Sequence, residues 1–278
     1  MDYEYISGEL FSKIADVSIY DRNYLNQFPN IKYNCNKIIY NNEPINKDSL
    51  SIINNSNIFF VKTDHLNFFI SYILPFISNK FILITHNSDL SSGNNKIIYN
   101  NKFLIKWYGQ NMIPNYDIDK LIGIPIGLEN SQWKGSDYNI CKKYKNNIKE
   151  KLLYFNFSLN TNKERGCIEN HLLKQGFSKN SNKDWEYYIK ELSTYKFAIS
   201  PEGNGIDCHR VWECIYVGCI PILKNNNIMV DFFKDLPILW VDNFSIVTET
   251  FLLEQYKILK NVKINIEKST LKYWYNHI

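Results

Sequence analysis

A basic and an acidic residue, Arg210 and Glu213, lie three positions apart in a stretch whose pattern predicts a helix. Residues at this spacing share a helix face, and His209 lies one turn from Glu213. A cation in the first turn of a helix is unfavourable beside the helix dipole unless an anion lies in front of it. Arg210 therefore predicts a bound phosphate. Glu213, one turn deeper, is placed to accept hydrogen bonds from the two hydroxyls of a ribose, so the pair predicts a nucleotide-sugar pocket.

The central segment, residues 197–223, predicts a strand, a glycine loop, a helix and a second strand. Asp207 is the predicted N-cap of the helix, and Gly218 is the residue at which the helix should stop. In such a βαβ unit the loop directs backbone N–H groups and a helix N-terminus towards a ligand. The central segment therefore predicts an anion site. The alternative is an ordinary βαβ crossover on whose surface Arg210 and Glu213 form a charged pair.

Two parts of the central segment, SPEGNGIDCHRVWE at residues 200–213 and GCIPI at residues 218–222, carry a resemblance to known enzymes. They resemble the donor-binding segment of exostosin-like glycosyltransferases and, more distantly, that of α1,3-fucosyltransferases. The resemblance implies an α/β protein of the GT-B fold, with two Rossmann-like domains facing across a cleft and the donor held mainly by the C-terminal domain. It also implies that Arg210 contacts the diphosphate and that Glu213 contacts the ribose or the sugar.

Further residues around the central segment are predicted to bind the donor. Arg165 follows a predicted strand and a polar loop, and the resemblance implies that it helps to bind the donor phosphates. The alternative is that Arg165 is an arginine on the surface of a helix. Asn156 and Thr161, which lie nearby, are weaker candidates for binding the donor. Glu202 either contacts the sugar or steadies the turn. The rest of the predicted donor site consists of Gly203, Asn204, Gly205, Asp207 and His209.

Polar residues follow the predicted strands of the first half of the chain. Ligands of an open α/β sheet bind beyond the carboxyl ends of its strands, so we expect the acceptor there. His86, Asn130 and Trp133 are predicted to bind it, because an indole stacks on a sugar ring and amides take sugar hydroxyls. An equally weighted alternative is that Trp133 does not bind a sugar but packs as an anchor in a polar loop between the domains.

An inverting transfer needs a general base within hydrogen-bond reach of the acceptor hydroxyl. Asp89 is the first candidate for this base and Glu129 the second. Asp64, His65 and His86 remain alternatives, because they also lie at predicted strand ends.

The length of 278 residues predicts two domains, residues 1–145 for the acceptor and residues 146–278 for the donor. The polar and basic stretch 134–150 is the predicted linker, and its lysines form either a solvated face or a rim that attracts phosphates. The tail, residues 248–275, has helical spacing and is long enough to cross back onto the first domain.

Charge and motif content limit the classes of partner and cofactor. The balance of 32 basic and 28 acidic residues is too even to indicate nucleic acid. We expect no metal and no cofactor, with a nucleoside-diphosphate sugar as co-substrate, because Arg210 and backbone N–H groups of the glycine loop would stabilise the charge of the leaving diphosphate. The six cysteines are scattered without a CxxC pair, which indicates a reducing compartment.

The sequence also bears on where the protein works. It shows neither a signal-peptide pattern nor a run of apolar residues long enough to span a membrane. We therefore expect a cytoplasmic protein without a transmembrane segment. Abundant Asn, Ile, Lys and Tyr, whose codons are rich in A and T, favour a microbial or viral origin.

The prediction is thus a glycosyltransferase that moves a sugar from a nucleoside-diphosphate sugar to a glycan, a glycoconjugate or another hydroxyl acceptor. The reaction is expected to be inverting and independent of metal. A nucleotide-sugar binding protein without catalysis is the first alternative. A phosphate-dependent binder of nucleic acid, suggested only by the net charge of +4 and the 20 tyrosines, is the second.

Overall fold

Two parallel β-sheets organise the chain. The computed structural model describes residues 4–28, 35–113, 119–131, 133, 136–181, 183–225, 229–260 and 265–278. One sheet lies in a compact unit of residues 1–134 and 271–278, and the other in a unit of residues 135–270. Strands and helices alternate in both, so the predicted α/β class is confirmed. The boundary expected between residues 145 and 146 lies inside the second unit.

The sheet of the first unit has six strands in the order β2-β1-β3-β4-β5-β6, and every pair is parallel. The strands are β1 (Val17–Tyr20), β2 (Ile38–Tyr40), β3 (Ile58–Lys62), β4 (Phe81–His86), β5 (Leu104–Gly109) and β6 (Leu121–Gly123). The sequence of β3 and β4 is nearly continuously apolar, as is typical of strands buried on both faces. Their register pairs Lys62 with His86, so the polar residues after both strands lie at one edge.

Side chains of Ser7, Asp21, Asn46 and Asn95 cap the first helical turns of this unit. Each accepts a hydrogen bond from a backbone N–H that has no partner within its helix. The helices are α1 (Gly8–Ile14), α2 (Arg22–Gln27), α3 (Lys47–Asn54), α4 (residues 63–76) and α5 (Lys96–Tyr99).

Helix α4 is irregular, and Pro75 accounts for its end. It passes from a 3₁₀ turn through a short α-helical piece and a π-helical turn to a second 3₁₀ turn, Leu74–Phe76. Proline lacks a backbone N–H and so cannot continue the α-helical hydrogen bonding. Within α4, only Leu66–Phe68 is regular α-helix.

The last helix of the chain, α12 (Leu271–Tyr275), belongs to the first unit. Trp274 is 3% exposed, and its ring centroid lies 6.3 Å from that of Phe11 on α1 and 6.5 Å from that of Tyr108 on β5. The hydroxyl of Tyr108 donates to the carbonyl oxygen of His277 at 2.6 Å. Residues 271–278, the end of the predicted tail, are therefore part of the core of this unit.

The second sheet has four parallel strands in the order β10-β9-β8-β7. They are β7 (Lys151–Tyr154), β8 (Tyr195–Ile199), β9 (Ile220–Lys224) and β10 (Leu239–Val241). Alternate residues of these strands face one cluster of buried side chains, which includes Phe197, Ile199, Ile220, Ile222 and, from a helix, Leu252. The helices are α6 (Tyr138–Tyr144), α7 (Glu164–Lys174), α8 (Trp185–Leu192), α9 (His209–Val217), α10 (Val230–Phe233) and α11 (Glu249–Leu259).

The linker predicted over residues 134–150 is wrong for residues 138–144, which form α6. Asp137 caps this helix, Cys141 is fully buried, and the ring of Tyr138 lies 5.4 Å from that of Tyr216. Tyr138 and Cys141 are three residues apart and share the buried face. The lysines that follow Cys141 hid this short apolar pattern in the sequence.

Candidate functional site

Helix α9 of the central segment begins at His209 and ends at Val217. Gly218 follows with φ of 71°, a left-handed conformation that glycine adopts without a Cβ clash. The N–H of Cys219 donates to the carbonyl of Cys214 at 2.9 Å, which satisfies one of the last carbonyls of the helix. The predicted stop at Gly218 is confirmed.

The prediction of Asp207 as N-cap is wrong. Cys208 occupies that position, and its side chain makes no capping hydrogen bond. Asp207 instead accepts hydrogen bonds from the indole Nε1 of Trp212, 2.9 Å from each carboxylate oxygen. Trp212 is fully buried, and a buried indole N–H needs an acceptor. Asp207 therefore ties the loop to α9.

A cavity of about 790 Å³ opens where β7 ends and α9 begins, and we call it the Arg210 cavity. Its walls come from residues 154 and 156–160, residues 179–181 and 183, and from Tyr188 on α8 and Arg210 on α9. This volume is in the range of small-molecule sites, roughly 300–1,000 Å³. Among the described residues of its wall, Lys179, Lys183 and Arg210 are cationic and none is acidic. The cavity therefore favours an anion.

The two lysines of the wall already have partners. Lys179 Nζ lies 2.6 Å from Glu169 Oε2, and Lys183 Nζ lies 3.1 Å from Glu191 Oε2. Within the parts of the chain that the structure describes, Arg210 has no carboxylate within ion-pair distance. Among the described residues, Arg210 is thus the cation of the wall that has no carboxylate in salt-bridge contact.

The Nε–H of Arg210 is buried without a hydrogen-bond partner among the described residues. Burial by itself lowers the pKa of Arg210, but the Tyr188 side chain, the Cys208 thiol and the Glu213 carboxylate together hold that pKa above its ordinary value. The guanidinium stays charged at every physiological pH. A charged donor without an acceptor is the feature that a bound anion would satisfy.

Glu213 lies on α9 one turn after Arg210 and is 7% exposed. Its Oε1 accepts a hydrogen bond from Trp185 Nε1 at 3.0 Å, and its Oε2 accepts one from the Tyr188 hydroxyl at 2.7 Å. Both donors come from α8, and Glu213 is not one of the residues that line the Arg210 cavity. Its position therefore does not favour the predicted contact with a ribose.

Arg165, in the first turn of α7, is also buried, at 7% exposed. Its guanidinium donates to three carbonyl oxygens, those of Glu202 at 2.8 Å, Ser158 at 3.0 Å and Pro201 at 3.1 Å. Burial lowers the pKa of Arg165, and the nearby charge of Arg210 adds to this effect. The structure thus places Arg165 as a brace between the loop after β7 and the loop after β8.

The other predicted donor residues form the loop around this brace. A Cβ on Gly203 would lie 3.1 Å from Arg165 Nη2, so glycine allows the loop to approach the guanidinium. Glu202 is half-buried, and its pKa is raised by burial and by the neighbouring Glu164. Of the residues predicted to bind the donor, Arg210 lines the cavity. The weaker candidate Asn156 lines it too. The residues placed outside its wall are Arg165, Glu202, Gly203, Asn204, Gly205, Asp207, His209 and Glu213.

In the first unit, His86 and Asn130 join one hydrogen-bonded network. His86 is 1% exposed, its Nε2 lies 3.0 Å from the carbonyl of Pro125, and its Nδ1 accepts from the backbone N–H of Asn87 at 2.8 Å. Asn130 accepts from the N–H of Glu9 and donates to Asn87 Oδ1. Because both ring nitrogens of His86 have protein partners, its position favours a structural role over acceptor binding.

The remaining acceptor-side candidates lie in more open positions. Trp133 is 50% exposed, with its ring 5.0 Å from that of Phe28. Asp89 is exposed and Glu129 is half-buried. The roles predicted for these residues stay predictions.

Two further candidates for the base lie after β3. Asp64 Oδ2 lies 3.2 Å from Lys62 Nζ, and Nδ1 of His65 lies 2.8 Å from the side-chain nitrogen of Asn41. Burial and the charge of Lys62 lower the pKa of His65, so its ring is neutral at pH 7. A neutral imidazole is the form that accepts a proton.

Sequence reasoning missed most of the cavity wall, including Tyr154, Lys179, Lys183 and Tyr188. These residues come from three separate stretches, namely the end of β7, the loop before α8 and α8 itself. The one available signal was on α8, where Trp185 and Tyr188 are two aromatic donors three residues apart.

In the described ranges, every helix is too short or too polar to cross a membrane. Nor do the described residues bring together three His, Cys, Asp or Glu side chains that could hold a metal ion. No protein-family model matches this chain, and no curated protein sequence matches it either.

Proposed function

We propose that this chain is a glycosyltransferase of the GT-B type that binds a nucleoside-diphosphate sugar in the Arg210 cavity. The observation that supports it most is Arg210 itself, which lies in the first turn of α9, lines a cavity without acidic walls and has an unpaired Nε–H. A helix N-terminus and a guanidinium together attract phosphate. The resemblance of residues 200–213 to the donor segment of exostosin-like enzymes adds the sugar nucleotide.

The proposed reaction breaks the bond between the anomeric carbon of the sugar and the diphosphate. Negative charge grows on the departing diphosphate as this bond breaks. Arg210, with the positive end of the α9 dipole, would stabilise that charge in the transition state. This arrangement needs no metal ion, so the proposed transfer is metal-independent, and full activity in EDTA is the expected result.

The acceptor of the proposed reaction is a hydroxyl of a glycan or glycoconjugate, whose oxygen attacks the anomeric carbon with inversion while a base takes the hydroxyl proton and the nucleoside diphosphate leaves. The base would come from the first unit, with Asp89 as the first candidate and Glu129 as the second. Both are accessible in the first unit, as a group that must reach a substrate hydroxyl has to be.

The test is a thermal-shift series with UDP, GDP, ADP and CDP. One of them should stabilise the wild-type protein, by about 2.7 kcal/mol when it is present at a hundred times its Kd. Arg210→Ala should abolish this shift and leave the protein folded. Arg22→Ala, which removes an exposed arginine of the first unit that pairs with Glu43, is the matched control and should keep the shift.

Two outcomes would contradict the proposal. Either no nucleoside diphosphate stabilises the protein, or Arg210→Ala binds the nucleotide as tightly as wild type. If the nucleotide binds but no donor sugar is transferred or hydrolysed in a screen of acceptors, the chain is a nucleotide-sugar binding protein without catalysis.

A further inference from the structure

The hydroxyl of Tyr188 connects Glu213 to Arg210. It donates its one proton to Oε2 of Glu213, so only its oxygen lone pairs are left for a cation. Tyr188 and Arg210 both line the Arg210 cavity, and the Tyr188 side chain is one of the groups that stabilise the charge of Arg210.

The ring of Tyr188 is itself held in place. Its centroid lies 5.6 Å from that of Tyr154, the last residue of β7, and both rings line the Arg210 cavity. Burial and the Glu213 carboxylate raise the pKa of Tyr188 well above its ordinary value. The hydroxyl therefore stays protonated and remains a donor to Glu213 at neutral pH.

A guanidinium is a flat fork of five N–H donors, so fixing one side of it fixes the direction of the others. One side of Arg210 meets Tyr188, whereas its Nε–H has no partner among the described residues. Arginine has a long side chain with several rotatable bonds, and free rotation would weaken any two-point contact with a phosphate. The contact with Tyr188 removes part of that freedom before a ligand arrives.

We propose that Tyr188 and Glu213 are positioning residues, which hold the guanidinium of Arg210 in the orientation in which its remaining N–H groups bind a diphosphate. The inference rests on the proposed function, because it concerns the same cavity. It gives Glu213 a task that differs from binding a ribose. Glu213 lies outside the cavity wall, and each of its oxygens already accepts a strong hydrogen bond.

The test compares two probes, inorganic pyrophosphate and the nucleoside diphosphate that binds best, by titration calorimetry. Tyr188→Phe keeps the ring but removes the hydroxyl, and the Kd for both probes should rise about tenfold. Tyr187→Phe is the matched control, because it makes the same change at the neighbouring, 56% exposed tyrosine. This control should change neither Kd.

Glu213→Gln separates the two roles of the carboxylate. A positioning role predicts that the Kd values for pyrophosphate and for the nucleoside diphosphate rise by the same factor, because both ligands depend on Arg210. A ribose contact predicts that only the nucleoside diphosphate binds more weakly, since pyrophosphate has no ribose. The second pattern, or unchanged binding of both probes by Tyr188→Phe, would overturn the inference.

The failures of the two proposals are distinguishable. A wild-type protein that binds pyrophosphate but no nucleoside diphosphate contradicts the nucleotide-sugar function, and the positioning role is still decided by Tyr188→Phe with pyrophosphate. A wild-type protein that binds neither probe contradicts both. If Tyr188→Phe does not fold, as judged by circular dichroism, Glu213→Gln decides the inference.

Discussion

Two arginines, Arg165 and Arg210, lie near the loop after β8 and have different partners. Arg165 donates to three backbone carbonyls, whereas Arg210 lines the cavity and keeps its Nε–H unpaired. Residue type alone could not separate them, because an arginine that braces loops and one that binds phosphate look alike in a sequence. What separates them is the direction of each side chain.

This difference predicts opposite effects on stability. Arg165→Met should lower the free energy of unfolding of the second unit by about 3 kcal/mol, because it leaves three carbonyls without a charged donor. Arg210→Met leaves these three carbonyls with their donor and should cost clearly less than Arg165→Met. Urea unfolding measures both values, with hydrogen exchange assigning the loss to β7 and β8. Equal losses in the two variants would contradict the brace.

At the scale of single elements, the central βαβ unit was the most predictable part of the chain. Its strands, its glycine loop and the stop at Gly218 follow from apolar runs and from the conformational freedom of glycine. The error at its N-cap came from Asp207, whose side chain pairs with an indole inside the fold. A cap and a buried acceptor are equally compatible with an aspartate before a helix.

Helix α6, in contrast, could not be predicted from the sequence. Its buried face consists of few residues, and four lysines at positions 142, 143, 145 and 149 dominate the local composition. Short helices gain most of their stability from packing on neighbours rather than from their own sequence. The contact of Tyr138 with Tyr216 is an example of such packing, and no local sequence pattern predicts it.

Two glycines of the second unit predict a pair of opposite substitutions. Gly218→Ala should lower the free energy of unfolding by about 1 kcal/mol, because alanine is strained at a φ of 71°. Gly166→Ala, inside α7, should raise it by about 0.5–1 kcal/mol, since the added Cβ meets nothing within 4 Å and alanine favours a helix. Urea unfolding of both variants checks the signs. Stabilisation by Gly218→Ala would contradict the left-handed cap.

At the scale of the whole molecule, the sequence supported an α/β protein but could not supply the order of strands within each sheet. The Arg210 cavity depends on that order, because its walls come from the ends of β7, α8 and α9. The sequence therefore indicated Arg210 and missed Tyr188. Which residues surround a predicted ligand group is decided by contacts between residues distant in the chain, for which the sequence offered only the aromatic pair on α8.

The C-terminal helix is a further case in which position in the chain does not reveal position in the fold. Trp274 follows the second unit in sequence, yet it is buried in the first unit against Phe11 and Tyr108. Trp274→Ala should therefore lower the free energy of unfolding of the first unit by about 3–5 kcal/mol, as expected for the loss of a buried tryptophan. Hydrogen exchange should show faster exchange in α1 and β5, with β8 and α9 unchanged.

The matched control is Tyr275→Ala, a change at the neighbouring residue, which is 50% exposed. This substitution should lower the free energy of unfolding by less than about 1 kcal/mol. Loss of protection in β8 instead of β5 would contradict the assignment of this helix to the first unit.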